Sequence, residues 1–177
     1  MNKHLMMLLI GCKPEGRQTE QHDVFFTIAE SLADTLPELE RFWPEAYASL
    51  HFDGWRTVMQ VDGYQVRVSE RQNQAASSGT PKLFFINLGG YKKNLFEELH
   101  FKMLTVAVNK AEAITKAKQT VFYKENGYKG AESHIDDKYG IDVDDLYNIE
   151  DILPEKIKKH YRLRITENNK AKKDKWH

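Results

Sequence analysis

The chain repeats itself, and this constrains its fold more than any other feature. LMMLLIGCK at residues 5–13 aligns with LFFINLGGY at residues 83–91, an offset of 83 minus 5, or 78 residues, which also sets His22 against His100. Further matches follow in the same order at growing offsets: FW with FY, HFD with HID, and YQVRVSE with YRLRITE. Growing offsets are typical of duplicated units whose loops have lengthened. The sequence therefore predicts two similar units.

Each unit is predicted to have the order β-α-β-β. The first strand is a near-continuous apolar run, which is typical of a strand covered on both faces. The first helix is predicted from about Thr19 to Leu36, and the second is predicted to begin at an Asn-x-x-Glu cap, Asn94 to Glu97. Residues 47–53 and 131–136 suit a second strand. VMQVDGYQVRV at 58–68 alternates around Asp-Gly, which favours a tight hairpin.

The predicted fold class is α+β, with two β-α-β-β repeats related by a pseudo-two-fold axis, a mixed β-sheet and one main helix per repeat. Residues 1–71 form the first repeat, 72–81 a linker, 82–167 the second repeat and 168–177 a basic mobile tail. Units of this size are marginally stable alone, so we expect them to share a core or a continuous sheet.

The N-terminus also matches a bacterial lipoprotein signal, because Lys3 precedes an apolar run and Leu-Ile-Gly-Cys ends at Cys12. The copy at residues 83–91 lies deep inside the chain, where no signal peptide can sit. We therefore interpret residues 5–11 as a strand and expect Met1 to Gly11 to remain in a cytoplasmic protein. No apolar run approaches the roughly 20 residues that span a bilayer.

Charge and cysteine content exclude several classes of protein. The chain has 26 Lys and Arg against 26 Asp and Glu, so the overall charge favours neither nucleic acid nor an anionic membrane as a partner. A single cysteine, Cys12, excludes an internal disulfide framework and is interpreted as an inert thiol. A homo-oligomer is compatible with the sequence, which does not specify the oligomeric state.

Several stretches of the sequence together indicate a family resemblance: IGCKPEGRQTEQHDVFF, FWPEA, HFDGW, FFINLGGYK, FEELHFK, FYK, SHIDDKYGIDVDD and DILP. They resemble a bacterial family known as domain of unknown function 1543. The resemblance spans nearly the whole chain apart from the linker and the tail. It implies one or two copies of the domain and implies neither an activity nor a cofactor.

The predicted strand-to-helix junctions form the first candidate site. Each has a glycine at the strand end, cations in the loop and a predicted helix N-terminus, an arrangement that favours a small anionic ligand. The alternative is that the glycines only make turns and the cations are solvated. The candidate ligand-binding residues are Gly11, Lys13, Arg17 and His22 in the first unit and Gly89, Lys92, Lys93 and His100 in the second.

Two histidine–aspartate pairs form the second candidate site, and these are the candidate catalytic residues: His51 with Asp53, and His134 with Asp136. Residues two apart on a strand share a face, so each pair can act as an acid–base pair, a structural hydrogen bond or a set of metal ligands. Glu20 and His22, two apart on a predicted helix, would point to different sides. No metal site and no cofactor are assigned.

Two classes of function stay open. The first is a non-catalytic cytoplasmic protein that binds a small anionic ligand or a partner at the duplicated loops. The second is an enzyme that acts on a small polar substrate through the histidine–aspartate pairs, with or without a metal. Duplication favours the first class, because one active site needs only one complete set of residues.

Overall fold

The computed structural model describes residues 3–71, 79–126, 134–135 and 146–168. Contacts divide the chain into two compact units: unit 1 takes residues 1–74 and 152–177, and unit 2 takes residues 75–151. The strands are β1 (His4–Cys12), β2 (Gln21–Ala29), β3 (His51–Thr57), β4 (Gln60–Val61), β5 (Tyr64–Glu70), β6 (Lys82–Tyr91), β7 (Glu98–Ala107), β8 (His134–Ile135), β9 (Leu146–Asn148) and β10 (Tyr161–Glu167). The helices are α1 (Leu36–Phe42), α2 (Lys110–Lys118), α3 (Val121–Glu125), α4 (Ile149–Ile152) and α5 (Glu155–His160).

The fold is α+β, but the predicted β-α-β-β order and the mixed sheet are wrong. Every strand pairing among the described residues is antiparallel, in three sheets. In place of the first predicted helix lies β2. A short 3-10 helix follows at Ala33–Thr35, and the α-helix begins only at Leu36, with Pro37 in its first turn. The second predicted helix is also wrong at its start, where the structure has β7, followed by α2. Each half therefore begins β-β-α.

Unit 1 is built around β1, the central strand of a sheet with the order β2-β1-β3. The predicted strand over residues 5–10 is confirmed, and its side chains are buried on both faces of the sheet except for the half-buried Leu9. On one face, α1 covers the sheet through Leu39, which is fully buried. The core on this face consists of Met6, Leu8, Ile10, Phe25, Ala29 and Leu39, with Trp43, Phe52 and Trp55 packed against it.

A second sheet of unit 1 confirms two further predictions. The tight turn lies at Asp62 and Gly63, which have φ angles of 53° and 80°, and it joins β4 to β5. The last predicted strand, YRLRITE, is β10. It pairs with β5, the sequence YQVRVSE, so that Arg164 lies opposite Arg67.

Unit 2 has β6 at the centre of its sheet, with β7 on one edge and β8 and β9 on the other. Asn109 caps the N-terminus of α2, and its side chain accepts a hydrogen bond from the Glu112 backbone N–H at 2.9 Å. The core comprises Phe84, Ile86, Leu88, Ala107, Ala113, Ala117 and Leu146. No helix in the described part of the chain is long and apolar enough to cross a membrane.

Candidate functional site

Gly11 lies between two histidines on neighbouring strands. On one side of β1, Gly11 pairs with His22 of β2; on the other, it pairs with His51 of β3. Directly paired residues of an antiparallel sheet have side chains on the same face. The two imidazoles therefore flank the same point at the end of β1, on the same face of the sheet.

A β-bulge brings a carboxylate to the same point. In the pairing of β3 with β1, Phe52 lies opposite Ile10 and Gly54 opposite Leu9, so Asp53 is the extra residue. A bulge lets Phe52 and Trp55, three residues apart, both pack against the core. The side chain of Asp53 is thereby placed next to that of His51.

Glu20, the residue before β2, completes a group that we call the histidine–carboxylate cluster: Glu20, His22, His51 and Asp53. The Nε2 atom of His51 lies 2.9 Å from Glu20 Oε1 and 3.4 Å from Asp53 Oδ1. The Nε2 atom of His22 lies 3.4 Å from Asp53 Oδ2 and 3.6 Å from Glu20 Oε2. Each histidine thus directs Nε2 towards both carboxylates.

The cluster is open to solvent. The side chains of Glu20, His22 and His51 are 42–46% exposed, and that of Asp53 is 29% exposed. The other ring nitrogen of His51, Nδ1, lies 3.5 Å from the carbonyl oxygen of Ser49. Within the described ranges, no group of three or more His, Cys, Asp and Glu side chains has the arrangement of a metal site.

The absence of a side chain at Gly11 leaves space for the cluster. A Cβ atom at this position would lie 2.8 Å from His51 Nε2 and 2.9 Å from Asp53 Oδ2. Such separations are shorter than van der Waals contact. The imidazole and the carboxylate therefore lie directly over the Gly11 backbone.

Unit 2 has a related arrangement around Gly89, which pairs with His100 of β7 on one side and with His134 of β8 on the other. The Nε2 atom of His100 lies 4.0 Å from Glu98 Oε2, and its Nδ1 atom lies 3.1 Å from the Asn87 side-chain nitrogen. An amide nitrogen donates, so Nδ1 of His100 accepts this hydrogen bond. Asp136, the remaining candidate catalytic residue, lies outside the described residues.

The candidate cations lie in hairpin loops rather than in strand-to-helix junctions. Lys13 and Arg17 lie between β1 and β2, and Lys92 and Lys93 lie between β6 and β7. The helix dipole that was expected to attract an anion is therefore absent from both loops, because a strand follows each of them. Any anion bound here would depend on the exposed cations and the loop N–H groups alone.

Replacing a loop cation is expected to affect anion binding without affecting folding. Arg17→Ala and Lys93→Ala should weaken binding of inorganic phosphate at these loops, while the melting temperature stays nearly unchanged. The reason is that an exposed cation contributes little to stability. Thermal unfolding with and without phosphate measures both effects, and a large fall in melting temperature in both variants would mean that the cations are structural.

The sequence predicted the pairing of His51 with Asp53 but missed Glu20 as their partner. The error followed from the predicted helix, in which Glu20 and His22 would diverge. On an extended chain, residues two apart lie on the same side, and here both reach the cluster. The two-residue spacing of Glu20 and His22, the same as that of His51 and Asp53, would have indicated this on a strand.

Cys12, next to Gly11, does not belong to the cluster. Its side chain is fully buried. Burial raises the pKa of the Cys12 thiol, and the carboxylates of Glu20 and Glu45 raise it further. Because the thiolate is the reactive form, these effects make Cys12 a poor nucleophile, as the sequence indicated.

Comparisons with known proteins found a family match for part of the chain and a solved structure with a similar fold. The model of a family described as Domain of Unknown Function (DUF1543) matches residues 17–68, a stretch that includes the whole histidine–carboxylate cluster. The crystal structure of a protein, Il1583, from Idiomarina loihiensis is similar, with a TM-score of 0.56 and 18% identity over 98% of this chain and 94% of that one. At this identity the likeness concerns the fold alone. No match was found among curated proteins.

Proposed function

We propose that the protein binds a small polar ligand at the histidine–carboxylate cluster. The observation that carries the proposal is the convergence of four solvent-accessible titratable side chains on one point above Gly11. Ion pairs at this exposure contribute little to stability. A purely structural role therefore gives little reason for placing four such groups together, whereas ligand binding does.

Charge indicates which part of a ligand the cluster accepts. Two of the four side chains in the cluster, Glu20 and Asp53, are carboxylates, and none is a lysine or an arginine. A cationic or hydrogen-bond-donating group is favoured there over an anion. The loop that joins β1 to β2 carries Lys13 and Arg17, and we propose these as contacts for an anionic part of the ligand. A zwitterion suits this combination. Lys92 and Lys93, in the loop that joins β6 to β7, are proposed as the equivalent contacts of a separate site in unit 2.

The same geometry favours acid–base chemistry as a second function. A carboxylate that holds one ring nitrogen of a histidine fixes the tautomer and leaves the other nitrogen to exchange a proton with a substrate. Asp53 is the proposed orienting carboxylate, because its Oδ2 atom lies 3.4 Å from Nε2 of His22. An enzyme acting on a small polar substrate would use His22 Nδ1 as the base and Asp53 as the orienting group.

We further propose that the site is duplicated because the chain is a tandem repeat. The support is a shared register: a glycine near the end of the central strand pairs with a histidine on each side, Gly11 in unit 1 and Gly89 in unit 2. The pairing of β5 with β10 is also locally two-fold symmetric, since Tyr64 meets Glu167 and Glu70 meets Tyr161. A pseudo-two-fold arrangement of repeats requires such symmetry.

The cluster variants Asp53→Asn and His22→Asn are expected to lose binding while keeping the fold. Titration of the protein with 4-aminobutyrate, butylamine and butyrate, followed by the histidine ring resonances in NMR spectra, is the measurement. We expect the two amines to shift the resonances of His22 and His51 saturably and butyrate to shift them less. Either substitution should weaken amine binding by about tenfold or more, because it removes a direct polar partner.

The matched control is His160→Asn, which removes an exposed histidine from α5. It should leave amine binding and the melting temperature unchanged. Amine binding that survives Asp53→Asn and His22→Asn, or an absence of saturable shifts with all three compounds, would contradict the proposal. A large loss of melting temperature in both cluster variants would instead favour a structural role for the cluster.

A further inference from the structure

A cavity of about 410 Å³ opens in unit 1 between β2, α1 and the segment that leads into α5. We call it the α1 cavity. Its volume lies within the roughly 300–1,000 Å³ range of small-molecule sites. The residues that line it are Phe25, Glu38, Arg41, Phe42, Ile152, Pro154, Glu155 and Lys156.

The inner wall of the cavity is apolar. Phe25 is buried, and its ring centroid lies 4.9 Å from that of Phe42. Phe42 is nevertheless 43% exposed, and Ile152 and Pro154 are only half-buried. Aromatic and aliphatic surface of this kind gains free energy when an apolar body covers it. The wall therefore suits the apolar part of a ligand.

The charges around the cavity are unequally satisfied. Glu38 accepts a hydrogen bond from the Thr27 hydroxyl, and Glu155 lies 2.6 Å from Lys158 Nζ. Within the described parts of the chain, the side chains of Arg41 and Lys156 have no hydrogen-bond or ion-pair partner. Both acidic groups are thus already paired and both cationic groups are available. This charge pattern complements an anion.

We propose that the α1 cavity binds a small molecule with an aromatic or branched apolar body and a single carboxylate. The apolar body lies against Phe25 and Phe42, and the carboxylate pairs with Arg41 and Lys156. Guanidinium groups form directional, charge-assisted hydrogen bonds with carboxylates, which fixes the orientation of the ligand.

This site is separate from the histidine–carboxylate cluster and does not depend on its function. Phe25 pairs with Leu8, whereas His22 pairs with Gly11. Positions separated by an odd number of residues on a strand lie on opposite faces of the sheet. A ligand in the α1 cavity therefore contacts the opposite face of the sheet from the amines, and the two proposals can fail independently.

Three matched compounds test the proposal: phenylacetate, phenylacetamide and 2-phenylethylamine share a ring and differ in charge. Titrations of the whole chain are followed by backbone amide chemical shifts. Phenylacetate is expected to bind saturably, with a dissociation constant of roughly 1–10 mM for a ligand so small. The neutral and cationic compounds should bind about tenfold more weakly.

The double variant Arg41→Gln/Lys156→Gln should reduce the affinity for phenylacetate to that for phenylacetamide. Phe42→Ala should weaken the binding of both compounds. Lys159→Gln, which removes an exposed cation of α5, is the matched control and should change nothing. The proposal is overturned if phenylacetate fails to saturate or if the double variant binds it with unchanged affinity. It is also overturned if the shifts map outside residues 25–42 and 152–156.

Discussion

Leu39→Ala is expected to lower the free energy of unfolding by about 2–5 kcal/mol, the usual cost of emptying a buried leucine site. Leu39 is fully buried and joins α1 to the core formed with Met6, Leu8 and Ile10. Helix α1 has only seven residues, and helices of this length are unstable without tertiary contacts. Loss of Leu39 should therefore release the helix as well as leave a void. Urea unfolding followed by circular dichroism measures the change.

Glu40→Ala provides the control, because Glu40 is the next residue of α1 and is exposed. Its melting temperature should stay close to that of the wild type. Because α1 also forms one wall of the α1 cavity, Leu39→Ala should reduce binding of phenylacetate too. A loss of stability in Leu39→Ala no larger than in Glu40→Ala would show that α1 is not anchored through this side chain.

The placement of α1 shows where inference from the sequence failed. The residues before it, QHDVFFTIA, contain apolar side chains at helical spacing, but they are rich in β-branched and aromatic types. Pairing with β1 along the whole length of β2 satisfies the backbone and buries these side chains. Short apolar runs fit both the 3.6-residue period of a helix and the two-residue period of a strand, and pairing with another strand decides between them. Pro37, which follows the predicted end of the first helix at Leu36, instead lies in the first turn of α1.

The second unit contains two Asn-x-x-Glu sequences, and only one caps a helix. Asn109 with Glu112 begins α2, where the following residues are mostly Ala, Lys and Glu. Asn94 with Glu97 lies in the hairpin loop before β7, and Asn94 has a positive φ of 69°. A capping sequence predicts a helix only when helix-forming residues follow it. The segment ELHFKMLTVA does not meet that condition.

Features that depend on local patterns were predictable. The apolar runs gave β1 and β6, the Asp-Gly pair gave the hairpin, and the similarity of two sequences gave β5 and β10 as strands. The partner of each strand was not predictable in this way. Pairing of β5 with β10 joins residues about a hundred positions apart, and no local signal encodes such a contact.

The candidate site also has features that local patterns predicted and features that they did not. A two-residue spacing was enough to put His51 and Asp53 together, but the bulge at Asp53 and the contribution of Glu20 depend on how three strands align. The sequence similarity between the two halves of the chain supplied a hint that single motifs did not, since it aligned His22 and His51 with His100 and His134. The contacts of each side chain could be identified only from the register of the paired strands.

Gly90→Ala is expected to lower the free energy of unfolding by about 1–3 kcal/mol, the typical cost of forcing an extra group into a packed site. A Cβ atom there would lie 2.7 Å from the backbone oxygen of Asn126 and 3.1 Å from Phe122 Cε1. The same oxygen accepts a hydrogen bond from the Tyr91 N–H at 3.2 Å. Moving the backbone at the end of α3 would therefore break a contact that holds the helix to β6.

Gly11→Ala is the matched substitution. It should have a small effect on stability and a large effect on amine binding. The added Cβ would meet the ends of the His51 and Asp53 side chains, which are partly exposed and can turn towards solvent. The melting temperature should fall less than in Gly90→Ala, while the shifts of the His22 and His51 resonances on adding 4-aminobutyrate should be lost, because the cluster no longer lies over bare backbone. Equal loss of stability in the two variants would mean that the cluster is part of the core. Unchanged amine binding in Gly11→Ala would mean that binding does not depend on the arrangement of His51 and Asp53 above Gly11.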